Sequence, residues 1–278
     1  MGIFDGCLIT SDIDDTLVND GYINPKNIEK IEFFISQGGR FSVATGRSAA
    51  AIGHVTSAIK NLSPSVVSNG CVIYDYENQK VLYGEVIPKE DHKLIKEIID
   101  RGLNTALEVH CEYEVYSLVT NAVSKLHEKY EWYKSIVSTF EDVDCLNWNK
   151  CVCLSEDASV YEEIRKIASE LGVKSFGMPT RAVWDGKLYN FLEIIPQGVS
   201  KASAIDKLCE IFNIKPCNSY AIGDYYNDIA MLKNAAISAA TAGAPAEVKE
   251  IANYVTVSCI DGAVADFIDY LTDLHKKG

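Results

Sequence analysis

Residues 8–17 read Leu8-Ile9-Thr10-Ser11-Asp12-Ile13-Asp14-Asp15-Thr16-Leu17, a short apolar run that ends in carboxylates two residues apart. A run of this length predicts a buried strand. In open parallel α/β sheets, ligands bind just beyond the carboxyl ends of the strands, which is where Asp12 and Asp14 would lie. A carboxylate there can act as a nucleophile, a proton donor or a metal ligand. The spacing therefore suggests phosphoryl chemistry.

The length and composition indicate more than one compact domain. At 278 residues the chain exceeds the usual domain size of about 100–150 residues. Its 47% hydrophobic content supports a substantial core. The nine cysteines form no C-x-x-C pairs of the kind that zinc sites use, so we expect free thiols in a reducing compartment. Cys151 and Cys153 would share one face of a strand, where we expect them to pack as small hydrophobic residues.

Charge and hydropathy argue against nucleic-acid and membrane partners. The formal charge of -13 is spread along the chain, which disfavours a surface that binds nucleic acid or anionic lipid. The start of the chain lacks the pattern of a signal peptide, and no apolar run approaches the roughly 20 residues of a membrane helix. We therefore expect a cytoplasmic protein, monomeric by default, with a dimer left open. If such an acidic protein binds phosphate, it must supply positive charge locally.

The order of the predicted elements indicates a parallel sheet that is interrupted by an insertion. Strand and helix signals alternate over residues 8–68 and again after Phe191, and this βαβ order predicts a parallel sheet covered on both faces. The middle of the chain has the different pattern of an α+β domain. We predict a Rossmann-like α/β core formed by residues 1–83 plus 190–278, with an inserted α+β cap domain at residues 84–189.

Strict alternation distinguishes one segment of the predicted insertion. Between Leu107 and Val115 an apolar residue occupies every second position, and Glu108 and His110 are among the polar residues between them. This period predicts one antiparallel strand with a buried face and a solvated face. A further strand signal covers residues 182–188.

Four positions that carry chemistry lie at predicted strand ends or helix starts, where a parallel sheet would bring them together. The first is the pair Asp12 and Asp14. The second is Thr45-Gly46-Arg47, which provides a hydroxyl and the free backbone N–H groups of a helix start. The third is Lys201, and the fourth is Gly223-Asp224-Tyr225-Tyr226-Asn227-Asp228. Two acidic loops, one hydroxyl and one lysine would form a site for Mg²⁺ and phosphate.

Five motifs follow one another along nearly the whole chain. They are Asp12-Ile13-Asp14-Asp15-Thr16-Leu17, Ala44-Thr45-Gly46-Arg47, Ser68-Asn69-Gly70, Gly198-Val199-Ser200-Lys201 and Gly223-Asp224-Tyr225-Tyr226-Asn227-Asp228. In this order they resemble the haloacid dehalogenase (HAD) superfamily of hydrolases, and within it the Cof-type (subfamily IIB) phosphatases. The resemblance implies a HAD-like core with an inserted cap, and a Mg²⁺-dependent phosphatase that hydrolyses a small phosphorylated metabolite, either a sugar phosphate or a cofactor phosphate.

The resemblance also assigns roles to individual residues. Asp12 would be the nucleophile that forms an aspartyl-phosphate, while Asp14 would protonate the leaving oxygen and then activate water. Mg²⁺ would be held by Asp12, the backbone carbonyl of Asp14 and the side chain of Asp224, with Asp228 supporting that shell. The groups that would hold the phosphoryl oxygens are Thr45, Gly46, Lys201 and Asn227. Carboxylates so close together would repel a phosphate, and a divalent cation with an ammonium would reverse that field.

Two residues depart from the common pattern of the family. Asp15 replaces the glycine that is frequent after the acid/base aspartate, a familiar variation. Tyr225 stands where a small polar residue often follows the metal-binding aspartate, so it would narrow the entrance or contribute a hydroxyl. Arg47 is left open between a structural ion pair and a substrate contact.

Other classes of protein use some of the same residue types. A calcium loop starting at Asp12 is disfavoured because Leu17 and Ile23 occupy its glycine and glutamate positions. A phospho-signalling receiver uses an aspartate separate from its acidic pair and lacks a large insertion. A phosphomutase would share the intermediate, and a non-catalytic phosphate-binding protein would not need every reactive side chain. The substrate stays open among hexose phosphates, pyridoxal phosphate, flavin mononucleotide and polyol phosphates.

Overall fold

The computed structural model describes residues 2–177 and 179–277. The chain divides into two compact units. The first unit consists of Met1–Gly46, Gly53–Tyr83 and Ser200–Gly278, and the second consists of Arg47–Ile52 and Gly84–Val199. The larger part of the second unit is therefore inserted in the first.

Regular elements occupy most of both units. The strands in chain order are β1 (Leu8–Ser11), β2 (Val18–Asn19), β3 (Tyr22–Ile23), β4 (Arg40–Val43), β5 (Ser65–Val67), β6 (Val72–Asp75), β7 (Lys80–Gly84), β8 (Ala106–Cys111), β9 (Glu114–Val119), β10 (Ile136–Val137), β11 (Lys150–Ser155), β12 (Pro179–Trp184), β13 (Lys187–Ile194), β14 (Ser219–Gly223), β15 (Ile237–Ala240) and β16 (Tyr254–Val255). The helices are α1 (Pro25–Ser36), α2 (Gly53–Ala58), α3 (Lys93–Asp100), α4 (Ala122–Glu131), α5 (Phe140–Val143), α6 (Ser159–Leu171), α7 (Lys201–Phe212), α8 (Ile229–Asn234), α9 (Ala246–Lys249) and α10 (Ala263–Lys277). Among the described residues, none of these helices has the length and apolar character to cross a membrane.

The first unit is built on a parallel sheet with the strand order β16-β15-β14-β1-β4. Strand β1 pairs in parallel with β14 on one side and with β4 on the other. All four residues of β1 are buried, as expected for a strand covered on both faces. The predicted parallel α/β sheet is confirmed, and the loops that follow β1, β4 and β14 lie at the same edge.

Helix α1 of the first unit begins where its sequence indicates. The Asn24 side chain accepts a hydrogen bond from the Lys26 N–H at 2.9 Å, and Pro25 occupies the first helical position. The helix packs against α10, where the buried Asn27 side chain accepts a hydrogen bond from the Ala265 N–H at 2.9 Å. A side-chain amide thus joins two helices that are far apart in the sequence.

The second unit contains a six-stranded sheet in the order β10-β9-β8-β11-β13-β12. Its strands pair antiparallel except for β9 and β10. Helices α3 and α6 pack on a core that includes Cys151 and Cys153, both buried and free, as predicted. The predicted boundary at residue 189 falls inside β13. Because β13 pairs with β11 as far as Ile194, the second unit instead extends to Val199.

The alternating segment from Leu107 to Val115 forms two strands, so the prediction of one strand is wrong. Strands β8 and β9 pair in a hairpin, and Glu112 at the turn has a positive φ of 54°. Residues 182–188 form a second hairpin, between β12 and β13. The alternation of apolar and polar residues continues through the tight turn between β8 and β9. Glu112 occupies the turn position where Gly or Asn usually marks a hairpin in the sequence.

The face of β8 that we expected to be solvated is buried. Glu108 is completely buried, and its Oε2 accepts hydrogen bonds from the Tyr133 hydroxyl at 2.6 Å and from His127 Nδ1 at 2.9 Å. His110 is only 3% exposed, with its Nε2 3.9 Å from the same carboxylate oxygen. The polar partners that make this burial tolerable come from α4 and the residues after it, which the sequence pattern did not reveal.

Acidification is expected to destabilise the second unit through His110. Burial lowers the pKa of His110 to about 4, while Glu108 opposes the shift and Lys150 and His127 add to it. Below the ordinary histidine pKa of 6.5 the unfolded chain therefore takes up a proton that the folded chain does not. The free energy of unfolding should fall by about 2 kcal/mol between pH 7 and pH 5 from this residue alone.

Urea unfolding followed by tryptophan fluorescence measures this loss. All three tryptophans lie in the second unit, so the signal reports on that unit. The His110→Asn variant should lose about 2 kcal/mol less than the wild type over the same pH range. Equal losses in both proteins would show that His110 does not carry the effect.

Candidate active site

Asp12 begins the loop that follows β1, at the edge of the parallel sheet. Its backbone N–H donates to the Ile222 carbonyl at 2.9 Å, which continues the pairing of β1 with β14 by one residue. The residue is only 6% exposed. Asp14, two residues later, is exposed. The i, i+2 spacing therefore places two carboxylates of one loop in different environments.

Lys201, the first residue of α7, is buried with its ammonium between two carboxylates. Lys201 Nζ lies 2.5 Å from Asp12 Oδ1 and 2.7 Å from Asp228 Oδ1. Burial alone would lower the pKa of the ammonium, but the carboxylates of Asp12 and Asp228 raise it above its ordinary value. Ser200 caps the helix by accepting a hydrogen bond from the Ser203 N–H, which fixes where Lys201 leaves the backbone. The lysine is therefore charged and held in place.

Asp228 binds Lys201 and also holds the backbone of the loop after β14. Its Oδ2 accepts hydrogen bonds from the backbone N–H groups of Asp224 at 3.0 Å and Tyr225 at 3.2 Å. A Cβ atom at Gly223 would lie 2.6 Å from this Oδ2, so the close approach requires glycine. The carboxylate is completely buried. One side chain thus links the loop backbone to the ammonium.

The carboxylates form a cluster with the donor set of a hard divalent cation. One oxygen from each of Asp12, Asp224 and Asp228 lies within 4.8 Å of the others. Burial raises the pKa of Asp12 well above its ordinary value despite Lys201, with Asp228 and Asp224 adding to the shift. Burial and the charge of Asp228 likewise raise the pKa of Asp224 to about 7. The cluster carries more negative charge than one ammonium compensates, and its all-oxygen donors fit Mg²⁺.

The loop after β4 reaches the start of α7 through the turn at Ser68–Gly70. The Thr45 carbonyl accepts a hydrogen bond from the Asn69 N–H at 2.9 Å, and a Cβ at Gly46 would lie 3.2 Å from the Asn69 amide group. Gly70 has a φ of +101°, and a Cβ there would lie 2.1 Å from the Ser200 carbonyl. Only glycine therefore allows this turn to pack against the residue before Lys201.

Some of the predicted site residues contact one another directly, and the others lie in the loops that carry this cluster or close to it in the sequence. Asp12, Lys201, Asp224 and Asp228 form the cluster, whereas Thr45 is buried at the end of β4. Gly46 follows Thr45 in the chain, and Asp14 and Asn227 are exposed in the loops after β1 and β14.

Arg47 belongs to the second unit, where its guanidinium pairs with Glu131 at 3.2 Å. The helix start predicted at the Thr45-Gly46-Arg47 motif is a single 3₁₀ turn at Ala49–Ile52, followed by α2. An ion pair therefore accounts for the arginine of the second motif.

Three residues without a predicted role shape the site. Thr16 Oγ1 donates to Asp224 Oδ1 at 2.9 Å and so connects the loops after β1 and β14. Asn69 and Gly70 make the turn described above. All three stand inside the quoted motifs, which was the available signal, but their contacts join positions far apart in the sequence.

Comparison with known proteins identifies the family. A sequence model of the haloacid dehalogenase-like hydrolases matches residues 9–268. The chain belongs to this family. It is 27% identical over 293 residues to the 5-amino-6-(5-phospho-D-ribitylamino)uracil phosphatase YwtE of Bacillus subtilis, covering 95% of this chain and 97% of that protein. It is 24% identical over 272 residues to the pyridoxal phosphate phosphatase YbhA of Escherichia coli, covering 94% and 97%.

The HAD-like fold is also found in solved structures. A haloacid dehalogenase-like hydrolase from Bacteroides thetaiotaomicron matches with a TM-score of 0.81 at 24% identity, covering 95% of this chain and 99% of that one. This likeness extends over the parallel-sheet unit and the inserted unit. The family and fold inferred from the motifs are confirmed.

Replacing the buried lysine should cost far more than replacing an exposed one on the same helix. The Lys201→Met substitution removes the ammonium that pairs with both Asp12 and Asp228. In the part of the chain that the structure describes, no other ammonium forms an ion pair with these two carboxylates. We expect the free energy of unfolding at pH 7, without divalent cations, to fall by about 3 kcal/mol or more. The control Lys207→Met removes an exposed pair with Glu210 and should cost less than about 1 kcal/mol.

Denaturant unfolding followed by circular dichroism compares these two variants. Equal stability of Lys201→Met and Lys207→Met would contradict the view that the buried ammonium stabilises the cluster.

Proposed function

We propose that the protein is a Mg²⁺-dependent phosphatase that hydrolyses a small phosphorylated metabolite through an aspartyl-phosphate on Asp12. The observation that carries this proposal is the buried ammonium of Lys201, hydrogen-bonded to Asp12 and Asp228, beside the carboxylate of Asp224. A site with this balance of charges suits a dianionic phosphoryl group, which needs both a nucleophile and compensating positive charge.

In this mechanism Asp12 and Asp14, the carboxylates after β1, have two different roles. The ionised Asp12 would attack phosphorus, and the bond between phosphorus and the ester oxygen would break as the Asp12 oxygen–phosphorus bond forms. The exposed Asp14 would donate its proton to the leaving oxygen. Asp14 would then accept a proton from the water that attacks phosphorus, which releases inorganic phosphate and restores the Asp12 carboxylate. Burial opposes the ionised form of Asp12 that this role needs and the Lys201 charge favours it, while the exposed Asp14 is open to the leaving group and to water.

The remaining site residues would stabilise charge on the transferring group. Lys201, Thr45, Gly46 and Asn227 would hold the phosphoryl oxygens. Asp12, Asp224 and the backbone carbonyl of Asp14 would hold Mg²⁺, with Asp228 acting through Lys201 and the loop backbone. Bound there, the cation would supply positive charge that offsets the repulsion between the carboxylates and the phosphate.

The relatives support small phosphate monoesters as the substrate class. The two named above are described as phosphatases of a ribitylamino-uracil phosphate and of pyridoxal phosphate, and each aligns with nearly the whole chain. We accordingly propose a small organic phosphate as substrate, with sugar and cofactor phosphates as the compounds to test first.

Removing the nucleophile should abolish phosphate release. We expect the wild type to release phosphate from at least one sugar or cofactor monophosphate with Mg²⁺ and not with excess EDTA. Asp12→Asn should lower kcat by about 10³-fold or more, because the amide is not a nucleophile. The control Asp273→Asn replaces an exposed carboxylate on α10 and should retain full activity.

A phosphate-release assay with chromatography of the organic product checks this prediction. Wild-type turnover that persists in Asp12→Asn would contradict the proposed nucleophile. Formation of an isomeric sugar phosphate without free phosphate would instead identify a phosphomutase.

A further inference from the structure

Two tyrosine rings stand exposed directly after Asp224. Tyr225 is 56% exposed and Tyr226 is 48% exposed, although the loop that carries them begins and ends in the buried cluster. Their ring centroids are 5.0 Å apart with an interplanar angle of 71°, an edge-to-face pair. The mechanism proposed above gives neither ring a task. We call this pair the aromatic platform.

Asp228, which pairs with Lys201, also holds the backbone of Tyr225. Its N–H donates to Asp228 Oδ2 at 3.2 Å, and its carbonyl accepts from the Asp228 N–H at 3.0 Å. The other oxygen of the same carboxylate lies 2.7 Å from Lys201 Nζ. The Asp228 side chain therefore connects the Tyr225 backbone with the Lys201 ammonium. The Tyr226 hydroxyl donates a hydrogen bond to Glu247 Oε2 at 3.4 Å.

A second loop brings further exposed apolar side chains to this edge of the sheet. The backbone N–H of Thr241 donates to the Gly223 carbonyl at 3.2 Å, and that of Ala242 donates to the Val257 carbonyl at 3.4 Å. Val257 is 41% exposed and Ile260 is 59% exposed. The ends of β14, β15 and β16 are thus joined, and their loops present an apolar rim beside a strongly charged site.

The loop residues that form the rim include no positively charged side chain for a second anionic group. Residues 225–227 and 254–260 include no lysine or arginine. The carboxylates of Asp224, Asp228 and Glu247 lie next to the platform and would repel an anion. A leaving group that is uncharged and apolar on one face suits this rim better than one that carries a second phosphate.

We propose that the aromatic platform of Tyr225 and Tyr226 is a specificity subsite, on which an uncharged planar ring of the leaving group stacks while its phosphate occupies the Lys201 site. This inference rests on the proposed function for the identity of the phosphate site. Stacking on an aromatic ring adds attraction beyond the area that is buried, so a planar ring should be favoured over a saturated ring of the same size.

Benzyl phosphate and cyclohexylmethyl phosphate test this preference, since both are alkyl phosphates with a six-membered ring one carbon from the ester oxygen. The quantity to measure is the ratio of kcat/KM for benzyl over cyclohexylmethyl phosphate. Tyr225→Leu, which keeps an apolar side chain, should lower this ratio about 3- to 10-fold. Tyr225→Phe keeps the ring and should keep the wild-type ratio. An unchanged ratio in Tyr225→Leu, or an equal fall in both variants, would overturn the proposal.

Binding of benzylphosphonate and cyclohexylmethylphosphonate, measured by calorimetry with Mg²⁺, separates this inference from the proposed function. These compounds are not hydrolysed, so their Kd ratio does not depend on turnover. If the wild type hydrolyses neither of these esters nor any of the sugar and cofactor monophosphates, but Tyr225→Leu still loses the preference for benzylphosphonate about 3- to 10-fold, the phosphatase proposal fails and the platform stands. If the wild type binds the two phosphonates equally, the platform proposal fails whatever the turnover.

Discussion

The ammonium of Lys201 is the group on which the arrangement of the site depends. A charge buried this completely is tolerated only when opposite charges are in contact with it, and Asp12 and Asp228 meet that requirement from two different loops. The same contact places the buried Asp12 carboxylate next to a positive charge, which lowers a pKa that burial raises. The interaction therefore stabilises the folded site and favours the ionised form of Asp12 that the proposed mechanism needs.

The scaffold makes that contact through topology and close backbone approaches. Parallel pairing of β1 with β14 brings the loops carrying Asp12 and Asp228 to one edge of the sheet. The turn ending at Gly70 packs against the Ser200 carbonyl and so sets the position from which Lys201 reaches that edge. Gly223 leaves room for the Asp228 carboxylate in the same way. Asp12 and Lys201, 189 residues apart in the sequence, thus meet through strand pairing and through close approaches that two glycines allow.

The sequence was a good guide to the parallel unit and to the presence of an α+β insertion, but a poor guide to one hairpin and its burial within that insertion, for a physical reason. Buried parallel strands are short apolar runs that end in functional loops, so Asp12 and Lys201 could be located by pattern and order alone. In the insertion, alternation continued through a hairpin whose turn is made by Glu112. The burial of Glu108 depends on hydrogen bonds from His127 and Tyr133, and such tertiary partners are not encoded in local periodicity. Likewise the contact between Thr16 and Asp224 follows from strand pairing and not from either motif.

The measurement that tests the central claim most directly is chemical trapping of the intermediate on Asp12. The Asp14→Asn variant, mixed with [³²P]acetyl phosphate and Mg²⁺ and quenched in acid, should accumulate label because this leaving group needs no proton donor while hydrolysis of the intermediate lacks its base. Peptide mapping should place a hydroxylamine-labile label on the peptide that contains Asp12. A label on another residue, or no label from a protein whose wild type turns the compound over, would contradict covalent catalysis by Asp12.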